Sequence, residues 1–289
     1  MSKTIRIVQI TDCHLSASPQ QDYRDANPHE SLKVMLQKVR DFVPDLLLAT
    51  GDLSEDESPA SYKALRDYFN LLESPVLALP GNHDDPNLLA ETFPGSPVDK
   101  VAVSEHGEWQ IIRLNSCVPG KTEGRINAET LAGLKQVLSQ QVNRSRLIVL
   151  HHQPVPVGSP WIDRYRLFES EGFLRLIGQC AGVKAVVWGH VHQVYTTERN
   201  GVAMLGGPST ATNSLPGMQK FTADTAGPAC RWLELRADGT MGNGIIGQSS
   251  IISKSSLPAP QSGQTQNSGT SAQRVPGASP SSGQPFSSS

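Results

Sequence analysis

The chain has 289 residues, 37% of them hydrophobic, and a formal net charge of −2. That length holds one large α/β domain or two small ones, and the near-neutral balance argues against non-specific attraction to nucleic acid or to an anionic membrane surface. No apolar run approaches the roughly 18 residues needed to span a bilayer, and the Met-Ser-Lys-Thr start lacks the apolar stretch of a signal peptide. Four scattered cysteines, Cys13, Cys117, Cys180 and Cys230, have no paired spacing. This suits a reducing cytoplasm, the expected location, rather than a disulfide framework.

The first half alternates strand and helix. Ile5 to Ile10 is a short β-rich run that stops at Thr11-Asp12. Leu32, Met35, Leu36, Val39 and Phe42 then recur at helical spacing. Asp45 to Thr50 is a continuous apolar run, as expected of a strand buried on both faces. Ser58-Pro59 reads as the cap and first residue of a helix carrying Tyr62, Leu65, Phe69 and Leu72. Pro75 to Leu79 is the third strand, so the order β-α-β-α-β predicts right-handed crossovers and a parallel sheet.

The second half has more antiparallel character. Strands are predicted near Val101–Val103 and over Trp109–Leu114, Arg146–Leu150 and Val183–Trp188. A helix begins near Asn127 and carries Leu131, Leu134, Leu138 and Val142. Asn200-Gly201 joins Val194–Glu198 to Val202–Leu205 as a two-residue hairpin. Two mixed sheets with helices outside follow from this order. From about Ser255 the chain is dominated by Ser, Gly, Pro and Gln, with Arg274 its only charged residue. Such composition cannot offset its ordering entropy, so residues 1–250 read as the folded domain and 255–289 as a disordered tail.

Five motifs carry the chemistry: Asp12-Cys13-His14, Gly51-Asp52, Gly81-Asn82-His83-Asp84, His151-His152 and Gly189-His190-Val191-His192. Each follows a strand, and in open parallel sheets ligand sites form beyond the carboxyl ends of strands. The i, i+2 spacing of Asp12 with His14 and of His190 with His192 lets one turn supply two ligands. The glycines permit close backbone approach where a Cβ would crowd an ion. Oxygen and imidazole donors without thiolate suit Fe or Mn, with Zn left open. A carboxylate such as Asp52 can bridge two cations about 3.5–4 Å apart, the arrangement of two-metal hydrolases. The motifs therefore predict a two-metal site that hydrolyses a phosphate ester. Of the pair His151 and His152, the residues alone leave open which is the ligand. Cys13 reads as a small residue filling its turn, and His29 and His106 as surface or cap residues.

The ordered pattern, from Ile10-Thr-Asp-Cys-His-Leu15 through Trp188-Gly-His-Val-His-Gln193 to Gly207-Pro-Ser-Thr210, resembles the calcineurin-like metallophosphoesterase superfamily. Within it the chain is similar to the bacterial class III 3′,5′-cyclic-nucleotide phosphodiesterases, over roughly residues 5 to 240. The resemblance implies a four-layer αββα sandwich and hydrolysis of 3′,5′-cyclic AMP to 5′-AMP by in-line attack of a metal-bound hydroxide. The alternative is broader action on other nucleotides or glycerophosphodiesters. It implies Asp12, His14, Asp52 and His192 as ligands of one divalent metal ion and Asp52, Asn82, His151 and His190 as ligands of the other. His83 is implied as the catalytic residue at the leaving oxygen, oriented by Asp84. The substrate would touch His14, Asp52, Asn82, His83 and His192. Trp161, Arg164 and Tyr165 would border it, and Ser209, Thr210 and Thr212 would stand near the pocket. Asn115 stands where relatives commonly carry Asp. The partner expected is a small cyclic nucleotide, with no nucleic acid and no membrane, and the chain is expected as monomer or homodimer.

Overall fold

The computed structural model describes residues 3–99, 101–141, 143–247 and 251–254. In chain order the elements begin β1 (Ile5–Ile10), α1 (Pro28–Phe42), β2 (Leu46–Thr50), α2 (Pro59–Asn70), β3 (Val76–Leu79) and α3 (Pro86–Thr92). Next come β4 (Ala102–His106), β5 (Trp109–Arg113), β6 (Gly124–Arg125), α4 (Ala128–Ser139) and β7 (Ser145–Val149). Then follow α5 (Pro160–Asp163), β8 (Leu167–Phe168), α6 (Glu171–Gly178), β9 (Val183–Trp188), β10 (Tyr195–Arg199) and β11 (Val202–Gly206). The series closes with β12 (Ala229–Leu235), β13 (Met241–Gly247) and β14 (Ile251–Lys254).

Two six-stranded mixed sheets form, in the orders β14-β13-β12-β1-β2-β3 and β10-β11-β9-β7-β5-β4. In the first, β1, β2 and β3 are parallel and β12 runs antiparallel to β1. In the second, β5, β7, β9 and β11 are parallel, with β4 and β10 antiparallel at the two edges. Alternation along each strand builds the layers. Leu46 and Leu48 of β2 pack with Leu147 and Val149 of β7 between the sheets, while Leu47 and Ala49 pack with Leu32, Met35 and Leu65 of α1 and α2. On the other side, Ile148 and Leu150 pack with Leu134 of α4 and with Phe173 and Ile177 of α6. The result is the expected helix–sheet–sheet–helix sandwich. The unbroken apolar run of β2 is needed because its two faces serve two different cores. Truncating Leu48 to Ala would cost about 2–5 kcal/mol of stability.

Local signals act as their chemistry dictates. Ser58 and Asn127 cap α2 and α4 by accepting the backbone N–H of Ser61 and Thr130. The turn between β10 and β11 places both Asn200 (φ 53°) and Gly201 (φ 76°) in the left-handed region. α4 ends at Ser139, and the expected continuation of its stripe to Val142 lies outside the described residues, as do residues 255–289. No helix among the described residues is long and apolar enough to cross a membrane.

Candidate active site

Each of the five motifs begins where a strand stops, and all five meet at one rim of the sandwich. Asp12 N–H donates to the Gly51 carbonyl at 2.9 Å and His14 N–H to the Asp52 carbonyl at 3.0 Å, so the first two motifs run side by side. The second sheet is tied to them: His190 N–H donates to both Asp12 carboxylate oxygens at 3.0 Å, and Gln9 Nε2 donates to the Trp188 carbonyl at 2.9 Å. Left-handed φ angles occur at Asp12 (52°), His14 (48°), Asp52 (50°), His190 (66°) and His192 (47°). Residues with a Cβ pay about 1–2 kcal/mol for that conformation, and such outliers cluster at functional sites. The conformation explains the i, i+2 spacing: the intervening Cys13 and Val191 turn into the core, fully buried. Gly189 is required by the same crowding, since a Cβ there would stand 2.1 Å from Thr11 Oγ1 and 2.8 Å from Asp12 Oδ2.

The converging atoms are close. His192 Nε2 lies 3.3 Å from Asp12 Oδ1, His14 Nε2 lies 3.2 Å from His192 Nε2, and His151 Nε2 lies 3.3 Å from Asp52 Oδ1. Asp52 Oδ2 is 3.9 Å from His14 Nε2, so this carboxylate faces both halves of the cluster. Asp12, His14 and His192 form one compact group, and Asp12, Asp52 and His151 another, with potential donor atoms within 4.8 Å of one another. All of these residues are buried.

Hydrogen bonds set which imidazole nitrogen faces inward. His151 Nδ1 donates to the Thr50 carbonyl (2.8 Å) and His192 Nδ1 to the Thr212 carbonyl (2.7 Å), while His14 Nδ1 meets Glu55 Oε2 (2.7 Å). In all three, Nε2 is the nitrogen turned toward the cluster, the orientation that metal-ligating histidines need. His190 is reversed: its Nε2 donates to the Tyr165 carbonyl at 3.2 Å, leaving Nδ1. Buried Asn82 Oδ1 has no hydrogen-bond partner among the described residues, and His151 Nε2 makes no well-aligned hydrogen bond, facing only Asp52 Oδ1 at 3.3 Å. Buried polar atoms are normally paired, so orphans amid carboxylates and imidazoles fit a binuclear divalent metal centre. Burial holds His14 and His190 below the usual imidazole range, so both are already neutral for ligation. Burial raises the Asp52 carboxyl, but the charge and hydrogen bond of His151, together with the other neighbouring imidazoles, outweigh it and hold Asp52 well below the usual carboxylate range.

His152 shares a possible donor group with His151 and His190, but both its nitrogens are engaged, Nδ1 with Ser116 Oγ (2.8 Å) and Nε2 with the Thr122 carbonyl (3.0 Å). Burial and the neighbouring His151 push its imidazole down to about 3. His83 is more open, with 38% of its side chain exposed, and its Nδ1 lies 3.2 Å from Glu55 Oε2. A cavity of about 130 Å³ is lined by His14, Asp52, Asn82, His83, His190 and His192, and also by Tyr23, Arg24, Trp161 and Tyr165.

Several expectations are corrected. Asp84 does not meet His83. Its carboxylate accepts the N–H groups of Leu53, Ser54 and Gly81 and the Tyr62 hydroxyl, binding the second and third motifs together. Glu55 faces His83 instead, and lies three residues beyond Asp52 in the turn that already carries a ligand. His29 is buried, not superficial, with Nε2 on the Ser16 carbonyl and Nδ1 on the Tyr68 hydroxyl, and it staples α1 to α2. Arg164, Ser209, Thr210 and Thr212 are absent from the cavity wall. Ser209 and Thr210 instead brace the first motif, through the Asp12 and Thr11 carbonyls. Asn115 bridges the Val98 carbonyl and Cys117 N–H. Tyr23, Arg24 and Glu55 were missed; nothing in their local pattern distinguishes them from loop residues.

Comparison with known proteins is consistent with this geometry. The model of the family described as calcineurin-like phosphoesterase matches residues 5–194. A 3′,5′-cyclic-nucleotide phosphodiesterase of Nostoc sp. is 38% identical over 238 residues, 82% of this chain and 90% of that protein. The 3′,5′-cyclic adenosine monophosphate phosphodiesterase CpdA of Escherichia coli (strain K12) is 35% identical over 242 residues, 82% of this chain and 87% of that one. Among solved structures, a dimetal phosphatase from Danio rerio superposes with a TM-score of 0.67 at 13% identity, covering 86% of this chain and 98% of its own. At that identity the likeness speaks for the fold alone.

Proposed function

This chain belongs to the calcineurin-like phosphoesterase family, and from that premise we propose that it hydrolyses 3′,5′-cyclic AMP to 5′-AMP. The observation that carries the reading is the convergence of seven oxygen and imidazole donors beside the half-open His83. It is supported by relatives, named as cyclic-nucleotide phosphodiesterases, that match over most of both chains. We assign Asp12, His14, Asp52 and His192 to one divalent cation and Asp52, Asn82, His151 and His190 to the other. Iron or manganese is the favoured identity, because the donors are carboxylate, amide and imidazole without thiolate. Cys13 does not compete: its sulfur accepts from Thr210 Oγ1 at 3.3 Å, and burial pushes its thiol up.

When bound, a pair of such cations supplies an acidified water and offsets charge on the phosphoryl oxygens. The remaining work belongs to the chain. Asp52, His14 and His192 line the cavity that would receive the phosphate. Glu55 accepts from His83 Nδ1, and His83 Nε2 has no partner among the described residues, so when the ring carries a proton on both nitrogens the Nε2–H is the one that passes to the 3′-oxygen as the P–O bond breaks, leaving the neutral ring. General-acid help of this kind contributes typically about 10²–10⁴-fold. We take residues 1–250 as the catalytic domain. We place the enzyme in the cytoplasm, a reading supported by four free cysteines.

The test is a chromatographic assay of Mn²⁺- or Fe²⁺-loaded protein with cyclic AMP, cyclic GMP and bis(p-nitrophenyl) phosphate side by side. Preferential conversion of cyclic AMP to 5′-AMP is expected. Cleavage of the synthetic diester with cyclic AMP untouched would keep the metal chemistry and discard the substrate.

A further inference from the structure

Two openings adjoin the ligand group. The larger, about 560 Å³, lies behind Asn82 and is lined by no aromatic side chain. The smaller one has a different wall: Tyr23, Arg24 and Trp161 line it, and Phe221 packs against Trp161 and Arg24. Tyr23 stacks on His14, with centroids 3.9 Å apart and planes within 10°. Trp161 stands edge-on to both Phe221 (5.3 Å) and His192 (6.4 Å). The Arg24 guanidinium lies 4.0 Å over the Phe221 ring, 5.3 Å over Tyr23 and 5.9 Å over Trp161, with Nε donating to the Tyr23 hydroxyl at 3.0 Å. No carboxylate among the described residues pairs with Arg24 at ion-pair distance. The Trp161 indole N–H is buried and has no acceptor among them.

The backbone under Arg24 is also unusual. Tyr23 and Ala26 exchange two hydrogen bonds, 2.8 and 3.1 Å, around a two-residue turn in which Arg24 (φ 49°) and Asp25 (φ 64°) are both left-handed. Such turns favour Asn-Gly or Gly-Gly, and a long side chain at the first position is strained. The strain presents a planar cation among three rings beside a phosphoester site.

We propose that the Tyr23–Arg24 turn, with Trp161 and Phe221, is the subsite for the nucleobase of the substrate. Rings and guanidinium planes are what stack on a base, whichever base it is. The inference rests on the phosphodiesterase reading above and adds what makes the site select nucleotides over small diesters.

The experiment compares kcat/KM for cyclic AMP with that for ribose 3′,5′-cyclic phosphate, which has the same phosphate ring and no base. It uses Mn²⁺-loaded wild type, Arg24→Gly and Phe221→Leu. Glycine is at ease in the left-handed turn, so Arg24→Gly removes the cation without threatening the fold. In both variants the ratio should fall about tenfold or more, chiefly through a higher KM for cyclic AMP. A ratio within about twofold of wild type would overturn the subsite while leaving the phosphodiesterase reading intact. A wild type that cleaves neither cyclic AMP nor cyclic GMP would overturn both.

Discussion

Glu55 Oε2 stands 2.7 Å from His14 Nδ1 and 3.2 Å from His83 Nδ1, so one carboxylate orients a metal-ligand candidate and the candidate acid together. Partners of this kind, behind a ligand, typically cost about 10–100-fold in metal affinity or activity when lost. Glu55→Ala should therefore lower both metal affinity and kcat for cyclic AMP by that order, with Glu55→Asp recovering part of each. Metal titration alongside steady-state kinetics checks it. Loss of activity with unchanged metal affinity would leave Glu55 serving His83 alone.

His83→Ala removes the acid but no ligand. Two metals per chain should remain, while kcat falls about 10²–10⁴-fold. Elemental analysis with kinetics separates the two. Activity within about threefold of wild type would remove His83 from the leaving-group role.

The pH response of the metal-free protein should report the pair of His151 and Asp52. Burial pushes the His151 imidazole down, but the carboxylate of Asp52 outweighs it and lifts the group to about 9. The folded value exceeds the unfolded one of about 6.5, so the stabilisation is fully present below that pH and is lost as pH rises through 9. The melting temperature of metal-free protein should accordingly fall between about pH 7 and 10, in the window set by that shift. Metal needs the neutral imidazole, so binding at pH 7 should release a proton that is no longer released above pH 9. Calorimetry in buffers of different ionisation enthalpy measures this. No proton release at pH 7 would contradict the assignment of His151 as ligand.

Gly189→Ala inserts a Cβ 2.1 Å from Thr11 Oγ1 and 2.9 Å from the Thr50 carbonyl. Overpacking of this kind costs typically about 1–3 kcal/mol, and here the displaced atoms carry Asp12. The variant should melt lower and bind metal more weakly, in thermal melts with and without Mn²⁺. An unchanged melting curve would show that the rim relaxes freely.

What could be read from the residues in order was whatever depends on neighbours in the chain. The burial of β2 on two faces, the caps Ser58 and Asn127, the Asn200-Gly201 turn, and the i, i+2 ligand pairs are set by periodicity and local backbone sterics. So is the placement of Asp12, Asp52, Asn82, His151 and His190 just past strand ends, because a strand that stops at a rim leaves its next residue there. β12 to β14, α3 and α6 escaped this reading, each being only four to eight residues long. The tertiary structure alone decided which side chains share a contact across tens of residues. It gave His83 to Glu55 rather than to the adjacent Asp84, whose carboxylate is consumed by the N–H groups of Leu53, Ser54 and Gly81 and by the Tyr62 hydroxyl. It buried His29 between helices and brought Tyr23, Arg24, Trp161 and Phe221 to one wall. Contacts of that kind depend on how two sheets pack against each other and on which donors are already satisfied, and neither is written in the spacing of residues along the chain.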